Sequence, residues 1–410
     1  MICCVAVFDI GTSSLKGALI SEEGNVFVQS RLFFPNEVIA ENWLISFENM
    51  FKQFLDFAFS AELSISGICI SGNGPSLISV AGKSSKLLLW NTPLKETQTL
   101  KKVLGTKSIF LPRFETFSIL FPYEFENAEF IFSGQEFLIY KLTGAGVTVL
   151  PEKRYVQAYW TEADLSALNI EKNKIPPFVE PGTLCGTYHS IPVFAGVPDF
   201  IAALIGTNTL SPGAACDRAG SSEGLNICVR TIPAQEKLQG LRLLPAPIVP
   251  FWNIAFILPN SGTLFYDLIK KSGGSFLDFE SFMQSIAAVI KSANEGTAQK
   301  IDATARTGAA LVKKIAGEVK SGMDLLEAAS GFKPVYTMCG GQAKSPLWRK
   351  IKSEITKRNF RLLQIADAEL LGNAAIAFTA LKRYTSISEA AASITAYNFT
   401  AAEQHLKVSL

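Results

Sequence analysis

A short polar turn near the N-terminus carries the residues best suited to chemistry. An apolar run ends at Asp9, Gly11-Thr12-Ser13 follows, and Lys16 lies at the start of a second apolar run. This pattern predicts a β-hairpin whose tip offers backbone N–H groups, hydroxyls, one ammonium and one carboxylate. Amides and an ammonium suit phosphate oxygens, and a carboxylate suits Mg²⁺, directly or through water. The alternative is an ordinary hairpin with a polar turn, since such turns are common.

A second turn of the same kind lies about half a chain later. Asp217 ends a short predicted strand, Gly220-Ser221-Ser222 lie in a turn, and an outgoing strand follows. Two such hairpins suggest an ancient duplication, with a phosphate-bearing ligand held between the two halves. Chance recurrence of Gly-Ser-Ser is the alternative.

Two further segments place polar groups at predicted helix starts. Pro198 suits the first turn of a helix, so Asp199 is expected at the positive end, where its negative charge is stabilised. By itself, Asp199 is best interpreted as a helix cap, which contributes about 1 kcal/mol.

The segment 340–342 follows a predicted strand, and Ser345 is an N-cap followed by proline. Two glycines at 340 and 341 would also suit an ordinary tight turn.

Strand and helix patterns alternate along the chain, which predicts an α/β fold. The clearest helix covers residues 42–59, where apolar side chains recur at helical spacing. The other well-marked helices cover 135–142, a segment from 199, a segment from 346, and 368–384, and residues 273–330 also carry helical patterns. The predicted strands cover 64–70, 86–90, 191–195, 214–217, 224–229 and 333–338, with turns at 196–198 and 218–222.

Composition excludes several kinds of function. The 410 residues exceed what one hydrophobic core usually serves, so two domains are expected. A net charge of +2 gives no electrostatic basis for nucleic-acid binding, and no apolar run is long enough for a membrane span. Two histidines disfavour a Ser-His-Asp or histidine-rich metal site, and no P-loop motif occurs. Seven scattered cysteines without a Cys-x-x-Cys pair favour reduced thiols and a cytoplasmic protein.

Taken in order, these loops resemble the FGGY family of carbohydrate kinases, in particular its xylulokinase-like members, within the sugar kinase/Hsp70/actin superfamily. The matching segments are Phe8–Lys16, Ile70–Pro75, Leu142–Gly144, Ala195–Gly206, Asp217–Gly224, Gly340–Trp348 and Leu371–Ala375. They span nearly the whole chain. No single segment is decisive, whereas their joint order is specific.

The resemblance implies two ribonuclease H-like (actin-like ATPase) domains, each a mixed sheet flanked by helices, with a cleft between them. Residues 1–205 would bind sugar, and residues 206–410 would bind nucleotide. It also implies ATP and Mg²⁺ as cofactors, and transfer of the γ-phosphate of ATP to a hydroxyl of a sugar or polyol, such as the ketopentose xylulose. That small molecule is the expected partner, and a homodimer is left open. The alternative is a degenerate homologue that binds nucleotide without catalysis, as a sensor or scaffold.

Each matching residue acquires an implied role from the same resemblance. Asp199 would accept the proton of the attacking sugar hydroxyl, and Asp9 would hold Mg²⁺ through water. The residues implied in nucleotide binding are Gly11, Thr12, Ser13, Lys16, Gly220, Ser221, Ser222, Gly340, Gly341 and Gln342, with Ser345 and Gly372 lining the adenine pocket. Those implied in sugar binding are Asn73, Gly74, Trp90 and Asp199.

The chain departs from the family pattern in four places. Ser221 stands where threonine is usual, Gln342 often corresponds to glycine, and Thr92 replaces an expected acid beside Trp90. The segment containing Gly-Glu-Arg-x-Pro and the second family signature are absent from the second half, where residues 273–330 carry helical patterns instead. The identity of the substrate is therefore open.

Overall fold

The computed structural model describes residues 2–35, 39–95, 108–271, 278–295 and 303–398, which form two compact units. The first unit comprises Met1–Gly206 and Glu369–Tyr397, and the main part of the second is Thr207–Ala368. The predicted boundary fell after residue 205, with residues 206–410 in a single domain. Residues 369–397 lie instead in the first unit, because their first helix packs against the helix that begins at Asp199 and bonds to the central sheet.

Among the described residues, eleven strands belong to the first unit. They are β1 (Ile2–Ile10), β2 (Ser14–Ser21), β3 (Val26–Phe33), β4 (Leu63–Gly72), β5 (Leu77–Ala81), β6 (Ser84–Leu88), β7 (Phe130–Phe132), β8 (Thr148–Val149), β9 (Phe178–Val179), β10 (Leu184–Tyr188) and β11 (Ile191–Pro198). A six-stranded mixed sheet has the order β10-β11-β4-β1-β2-β3. In it β1 is antiparallel to β2 and parallel to β4, and β4 is parallel to β11.

The helices of the first unit that precede residue 207 pack partly against this sheet and partly against β5, which belongs to a smaller sheet. They are α1 (Ala40–Ser60), α2 (Leu111–Leu120), α3 (Pro122–Glu126), α4 (Gly134–Thr143), α5 (Glu162–Ala167) and α6 (Asp199–Gly206), with short 3-10 helices at Lys153–Ala158 and Lys172–Lys174. The predicted apolar face of α1 included Trp43, Leu44, Phe47, Phe51, Phe54 and Leu55. It is confirmed in large part, because the four aromatic side chains are buried, whereas Leu44 is half-buried and Leu55 is exposed. The ring of Phe8 on β1 lies 4.6 Å from that of Phe47, which anchors α1 beneath the first hairpin.

The second unit is built around another six-stranded mixed sheet. Its strands are β12 (Ala215–Ala219), β13 (Glu223–Val229), β14 (Arg242–Pro245), β15 (Trp252–Leu258), β16 (Tyr336–Cys339) and β17 (Phe360–Leu362), in the order β14-β15-β13-β12-β16-β17. Its helices are α7 (Ser261–Lys271), α8 (Phe279–Glu295), α9 (Ala303–Ser330) and α10 (Pro346–Thr356), with 3-10 helices at Gln235–Leu238 and Gly341–Lys344. The chain then returns to the first unit through α11 (Ala368–Ala380) and α12 (Ile387–Asn398).

The two sheets repeat one topology. In each, an antiparallel hairpin (β1-β2 or β12-β13) is extended by a third antiparallel strand, β3 or β15. The first strand of each hairpin also pairs in parallel with a later strand, β4 or β16, and a further parallel strand follows, β11 or β17. This order repeats the ribonuclease H-like arrangement implied by the motifs, and it supports the duplication inferred from the two turns.

Several element boundaries differ from the prediction. Residues 196–198 were predicted as a turn, but β11 continues through Pro198, because Gly196 lets the strand approach the Ile70 carbonyl of β4 too closely for any Cβ. Arg218 and Ala219 extend β12, so the second turn is confined to 220–222. Strand β6 ends at Leu88 before Trp90, and α11 ends at Ala380 rather than at 384.

No helix in the described ranges is both long enough and apolar enough to cross a membrane. All seven cysteines are free thiols, and Cys4, Cys69, Cys216, Cys228 and Cys339 are buried.

Candidate functional site

The first predicted turn forms where the sequence indicates it. Ile10 pairs with Leu15, and the Gly11 N–H donates to the Ser14 carbonyl at 2.9 Å, which closes a tight connection. Thr12 is half-buried and Ser13 is exposed at the tip. The turn therefore presents backbone groups and hydroxyls at the end of the sheet, as a phosphate-binding turn requires.

Asp9 lies just below this turn and is almost fully buried. Its Oδ1 accepts a hydrogen bond from Ser71 Oγ at 2.7 Å, and its Oδ2 pairs with Lys16 Nζ at 3.0 Å. Lys16 Nζ also lies 3.7 Å from Glu369 Oε2 on α11. The ammonium predicted to neutralise phosphate is thus held between two carboxylates, with 17% of its side chain exposed.

Asn373 on α11 completes the support of Asp9 and was missed by sequence reasoning. Its Nδ2 donates to Ser71 Oγ and to the Phe8 carbonyl, both at 2.8 Å, and both side chains are fully buried. Because Ser71 in turn donates to Asp9, this relay fixes the orientation of the carboxylate. Asn373 lies within the matching segment Leu371–Ala375, but sequence reasoning gave a role there only to Gly372.

The predicted sugar-side residues lie directly beside the first turn. The indole Nε1 of Trp90 donates to Thr12 Oγ1 at 2.9 Å, and Asn73 Nδ2 reaches the same oxygen at 3.5 Å. Ser76 joins the two, because its hydroxyl donates to Asn73 Oδ1 at 3.2 Å and accepts from the Trp90 N–H at 3.1 Å. Thr12 therefore connects the phosphate turn to the loop with the amide and indole groups.

Asp199 reaches the same edge of the sheet through the strand register. Ile10 of β1 and Pro198 of β11 both pair with Gly72 of β4, so these positions lie on successive parallel strands, about 5 Å apart per strand. Asp199 follows immediately as the first residue of α6, half-buried, and its Oδ1 accepts from the Phe200 N–H at 2.6 Å. Gly74 faces Pro198. The carboxyl ends of β1, β4 and β11 thus bring together the residues predicted in the first half.

In the second unit, the 220–222 turn is held from two sides. The Gly220 N–H donates to the Ser222 carbonyl at 3.0 Å. The first N–H groups of α7, from Gly262 and Thr263, donate to the Ser221 carbonyl at 3.0 and 3.1 Å. This contribution from α7 was not predicted, and the Asn-Ser-Gly-Thr segment at 260–263 is the signal that sequence reasoning missed.

The 340–344 loop lies against this same turn. Gln342 Nε2 donates to the Gly220 carbonyl at 2.7 Å, and Gly340, at a φ of 90°, approaches Ala219 too closely for any side chain. Gly341 is exposed. Gln342 therefore replaces the usual glycine with a direct bond between the two predicted nucleotide loops.

Ser345 and Gly372 were predicted to line the adenine pocket. Ser345 caps α10 as predicted, since its Oγ accepts from the Trp348 N–H at 3.2 Å. Gly372 lies in the first unit, where α11 approaches the Ala202 carbonyl of α6 so closely that a Cβ would overlap it. Helix packing accounts for this glycine, and its role at adenine stays a prediction.

Three buried charged residues form a network that no motif indicated. Lys352 Nζ on α10 lies 2.7 Å from Asp217 Oδ2 and 2.5 Å from Glu223 Oε1, and all three side chains are fully buried. Burial, and next the charge of Asp217, raises the pKa of Glu223 to about 8. The three residues will be called the buried triad.

The first turn offers the oxygen donors that Mg²⁺ prefers. Mg²⁺ is held in phosphotransfer sites by one or two carboxylates together with the phosphates of the substrate. Asp9 supplies a buried, oriented carboxylate, and Glu369 supplies a second on the other side of Lys16. The donor set fits. Within the described part of the chain, no group of three or more His, Cys, Asp or Glu side chains forms a complete metal cage.

Comparisons with known proteins agree with this architecture. No family model matches the chain. Among curated proteins, the xylulose kinase of Lactococcus lactis subsp. lactis (strain IL1403) is 26% identical over 253 residues. The match covers 50% of this chain and 49% of that protein, so it spans about half the length of this relative.

Solved kinase structures match over nearly the whole chain. A ligand-bound xylulose kinase from Lactobacillus acidophilus has a TM-score of 0.71 at 14% identity, covering 96% of this chain and 92% of that one. Plasmodium falciparum glycerol kinase with ADP has a TM-score of 0.74 at 15% identity, covering 98% and 93%. A gluconate kinase from Lactobacillus acidophilus has a TM-score of 0.70 at 14% identity, covering 96% and 92%. The chain has the two-domain, actin-like ATPase fold of these kinases, so the fold that the motifs implied is confirmed.

Proposed function

We propose that this chain is an ATP-dependent carbohydrate kinase of the FGGY type, which transfers the γ-phosphate of ATP to a hydroxyl of a sugar or polyol. The observation that carries the proposal is the register of β1, β4 and β11 in the first unit. It brings the 11–13 turn, the Asn73 loop and Asp199 to one edge of one sheet. The likeness to a curated xylulose kinase makes a ketopentose such as xylulose the first substrate to test.

Asp199 would act as the base that orients the sugar hydroxyl. Its carboxylate lies at the N-terminus of α6, where the helix dipole stabilises negative charge. Phosphoryl transfer passes through a loose transition state, so positioning of the nucleophile contributes more than its deprotonation. Asp199 would hold the hydroxyl by accepting its hydrogen bond, and would take up the proton as the new O–P bond forms.

Asn73 and Trp90 would hold the sugar. An amide and an indole suit a polyol, which has polar hydroxyl edges and an apolar face. Both contact Thr12 Oγ1, so a sugar that moves either side chain would also move the phosphate turn. This link supports a site that responds to sugar and phosphate together.

The second unit would bind the nucleotide through the 220–222 turn and the 340–342 loop. Each loop has an exposed residue, Ser221 or Gly341, and the Gln342–Gly220 hydrogen bond joins the two loops. Backbone N–H groups in such turns bind phosphate without a P-loop. In the first unit, Asp9 would hold Mg²⁺, which would neutralise charge on the phosphates. Lys16 would then pair with a phosphate oxygen rather than with Asp9.

The test measures ADP release with ATP and Mg²⁺ across pentuloses, hexuloses, tetritols, glycerol and gluconate. We expect one compound class to stimulate ADP release, and Asp199→Asn to remove nearly all of that stimulation while the nucleotide still binds. Asp56→Asn is the matched control, because Asp56 is an exposed carboxylate on α1 of the same unit. It should turn over like the wild type.

Two results would contradict the proposal in different ways. Near-normal turnover by Asp199→Asn would remove Asp199 from the mechanism. If no compound stimulated ADP release although the nucleotide bound, the chain would instead be a non-catalytic sensor or scaffold.

A further inference from the structure

The buried triad is the strongest charged feature of the second unit that the proposed reaction does not use. One ammonium, Lys352, faces two carboxylates, Asp217 and Glu223, and no part of these side chains reaches solvent. Removing charged groups from water is costly unless each is paired and hydrogen-bonded. Because burying these three charged groups is costly, we expect the network to have a structural role.

The positions of the three residues indicate what that role is. Asp217 and Glu223 flank the 220–222 turn on β12 and β13, whereas Lys352 lies on α10, which begins just after the 340–344 loop. The ion pairs therefore connect the turn to the helix that carries the other loop, in addition to the Gln342–Gly220 bond.

We propose that Asp217, Glu223 and Lys352 are positioning residues that hold the 220–222 turn and the 340–344 loop in their nucleotide-binding arrangement, and that they do so with one proton shared between the two carboxylates. The proposal rests on the nucleotide-binding role proposed above for these loops.

The hydrogen-bond inventory supports the shared proton. Asp217 Oδ1 and Glu223 Oε2 are both buried without a hydrogen-bond partner, although the Asp217 and Glu223 side chains are within bonding reach of each other. A proton on Glu223 that is donated to Asp217 would give unpartnered carboxyl oxygens a hydrogen bond. It also leaves one carboxylate for one ammonium, so the network becomes neutral.

The pKa directions agree with this arrangement. Burial and the neighbouring Asp217 raise the pKa of Glu223 to about 8, so it carries the proton at neutral pH. Although burial opposes it, the two carboxylates raise the pKa of Lys352, which stays charged. Tyr336 on β16 and Cys216 on β12 also interact electrostatically with Asp217, and burial raises the pKa of each above its ordinary value.

Loss of the shared proton should loosen the site. Above about pH 8, two buried carboxylates would repel each other across a single ammonium, and the 220–222 turn between them would lose its fixed geometry. Nucleotide affinity should therefore fall in alkaline solution. The phosphates of ADP cannot cause this fall, because their last ionisation lies near pH 6.

The experiment measures the Kd of ADP with Mg²⁺ by calorimetry on the full chain, from about pH 7 to about pH 9.5, above the last phosphate ionisation. Coupling free energies of this kind change affinity about 5- to 150-fold, and we expect the wild-type Kd to rise about tenfold. Glu223→Gln imitates the protonated acid, so its Kd should match the wild type near pH 7 and stay flat. Asp217→Asn leaves a single carboxylate for Lys352, and it should also flatten the profile.

The matched control is Glu318→Gln, which neutralises an exposed carboxylate on α9 of the same unit. Its Kd should rise with pH as in the wild type. A flat wild-type profile, or a Glu223→Gln profile that rises like the wild type, would overturn the inference and leave the kinase proposal standing. If the wild type bound no ADP at any pH, the proposed function would fall, and the inference with it.

Discussion

The two hairpins that contain the predicted phosphate turns look alike in sequence, but their aspartates differ in the lysine that they pair with and in the burial of that pair. Asp9 and Asp217 each lie near the end of the first strand, and each pairs with a lysine. The partner of Asp9 is Lys16 of the same hairpin, whose side chain is 17% exposed. The partner of Asp217 is Lys352 from a distant helix, and that pair is fully buried.

Strand geometry explains the divergence. Asp9 lies two residues before Gly11, whereas Asp217 lies three residues before Gly220. Side chains alternate between the faces of a strand, so a shift of one residue turns the carboxylate to the opposite face. In the first unit it meets Ser71 beside the open turn, and in the second it meets α10 in the core.

The comparison indicates that the aspartates of the two hairpins have different roles. A carboxylate with a partly exposed ammonium can exchange that partner for a metal ion or a phosphate. A carboxylate sealed in a buried triad can only hold its neighbours in place. We therefore expect changes at Asp9 to alter turnover, and changes at the buried triad to alter stability and loop position.

The largest expected effect compares the two lysines directly. Lys352→Met leaves the Asp217–Glu223 pair, with its single negative charge, buried without a cation, and should lower the free energy of unfolding by about 3–5 kcal/mol. Lys16→Met also leaves the buried carboxylate of Asp9 without its cation, but solvent reaches the partly exposed Lys16 position, so the cost should be smaller than that of Lys352→Met. Urea denaturation followed by circular dichroism measures both, with Lys350→Met on α10 as the control for helix α10 itself. If Lys16→Met and Lys352→Met lowered the free energy of unfolding equally, the proposed difference between the two aspartate–lysine pairs would be wrong.

Asp9→Asn should affect turnover rather than folding. The neutral amide has the same shape but loses the charge that would hold Mg²⁺, so kcat should fall about 100-fold, equivalent to about 2.7 kcal/mol. ADP release at saturating sugar and nucleotide measures the change. Turnover close to that of the wild type would show that Asp9 is structural, as Asp217 is.

The buried triad should also make the stability of the chain depend on pH. The folded chain keeps a proton on Glu223 up to about pH 8, whereas the unfolded chain releases it near its ordinary pKa of 4.5. Between these values the folded state binds more protons, so this contribution to stability is full at low pH and is lost as the pH rises.

Thermal unfolding at several pH values tests that direction. The wild type should lose stability relative to Glu223→Gln as the pH rises from about 4.5 to about 8, and the difference should level off above that range. Parallel curves for the two proteins would mean that Glu223 is ionised in the folded state.

The smallest effect is expected at the sugar side of the first turn. Trp90→Phe keeps an aromatic face but removes the indole N–H that donates to Thr12 Oγ1. A single hydrogen bond contributes about 0.5–1.5 kcal/mol, so the KM for sugar should rise about three- to tenfold, with the Kd for ADP unchanged. Trp252→Phe, at a half-buried tryptophan of β15, is the control and should change neither constant.

Local sequence determined the elements that carry the candidate site. The polar turn after Asp9, the Gly220 turn, the proline before Asp199 and the Ser345 cap each follow from residue chemistry over a few positions, and the structure has a turn or helix start at each. These signals are local, because backbone conformation and capping depend on neighbouring residues. The order of the motifs also indicated the repeated fold.

Tertiary structure alone decided which side chains meet. Lys352 lies 135 positions from Asp217, and Asn373 lies 302 positions from Ser71, so no spacing rule links them. The return of α11 to the first unit likewise depends on the close approach that Gly372 allows. The physical reason is that burial, ion pairing and pKa depend on distances in space, which are fixed only when the sheets and helices have packed.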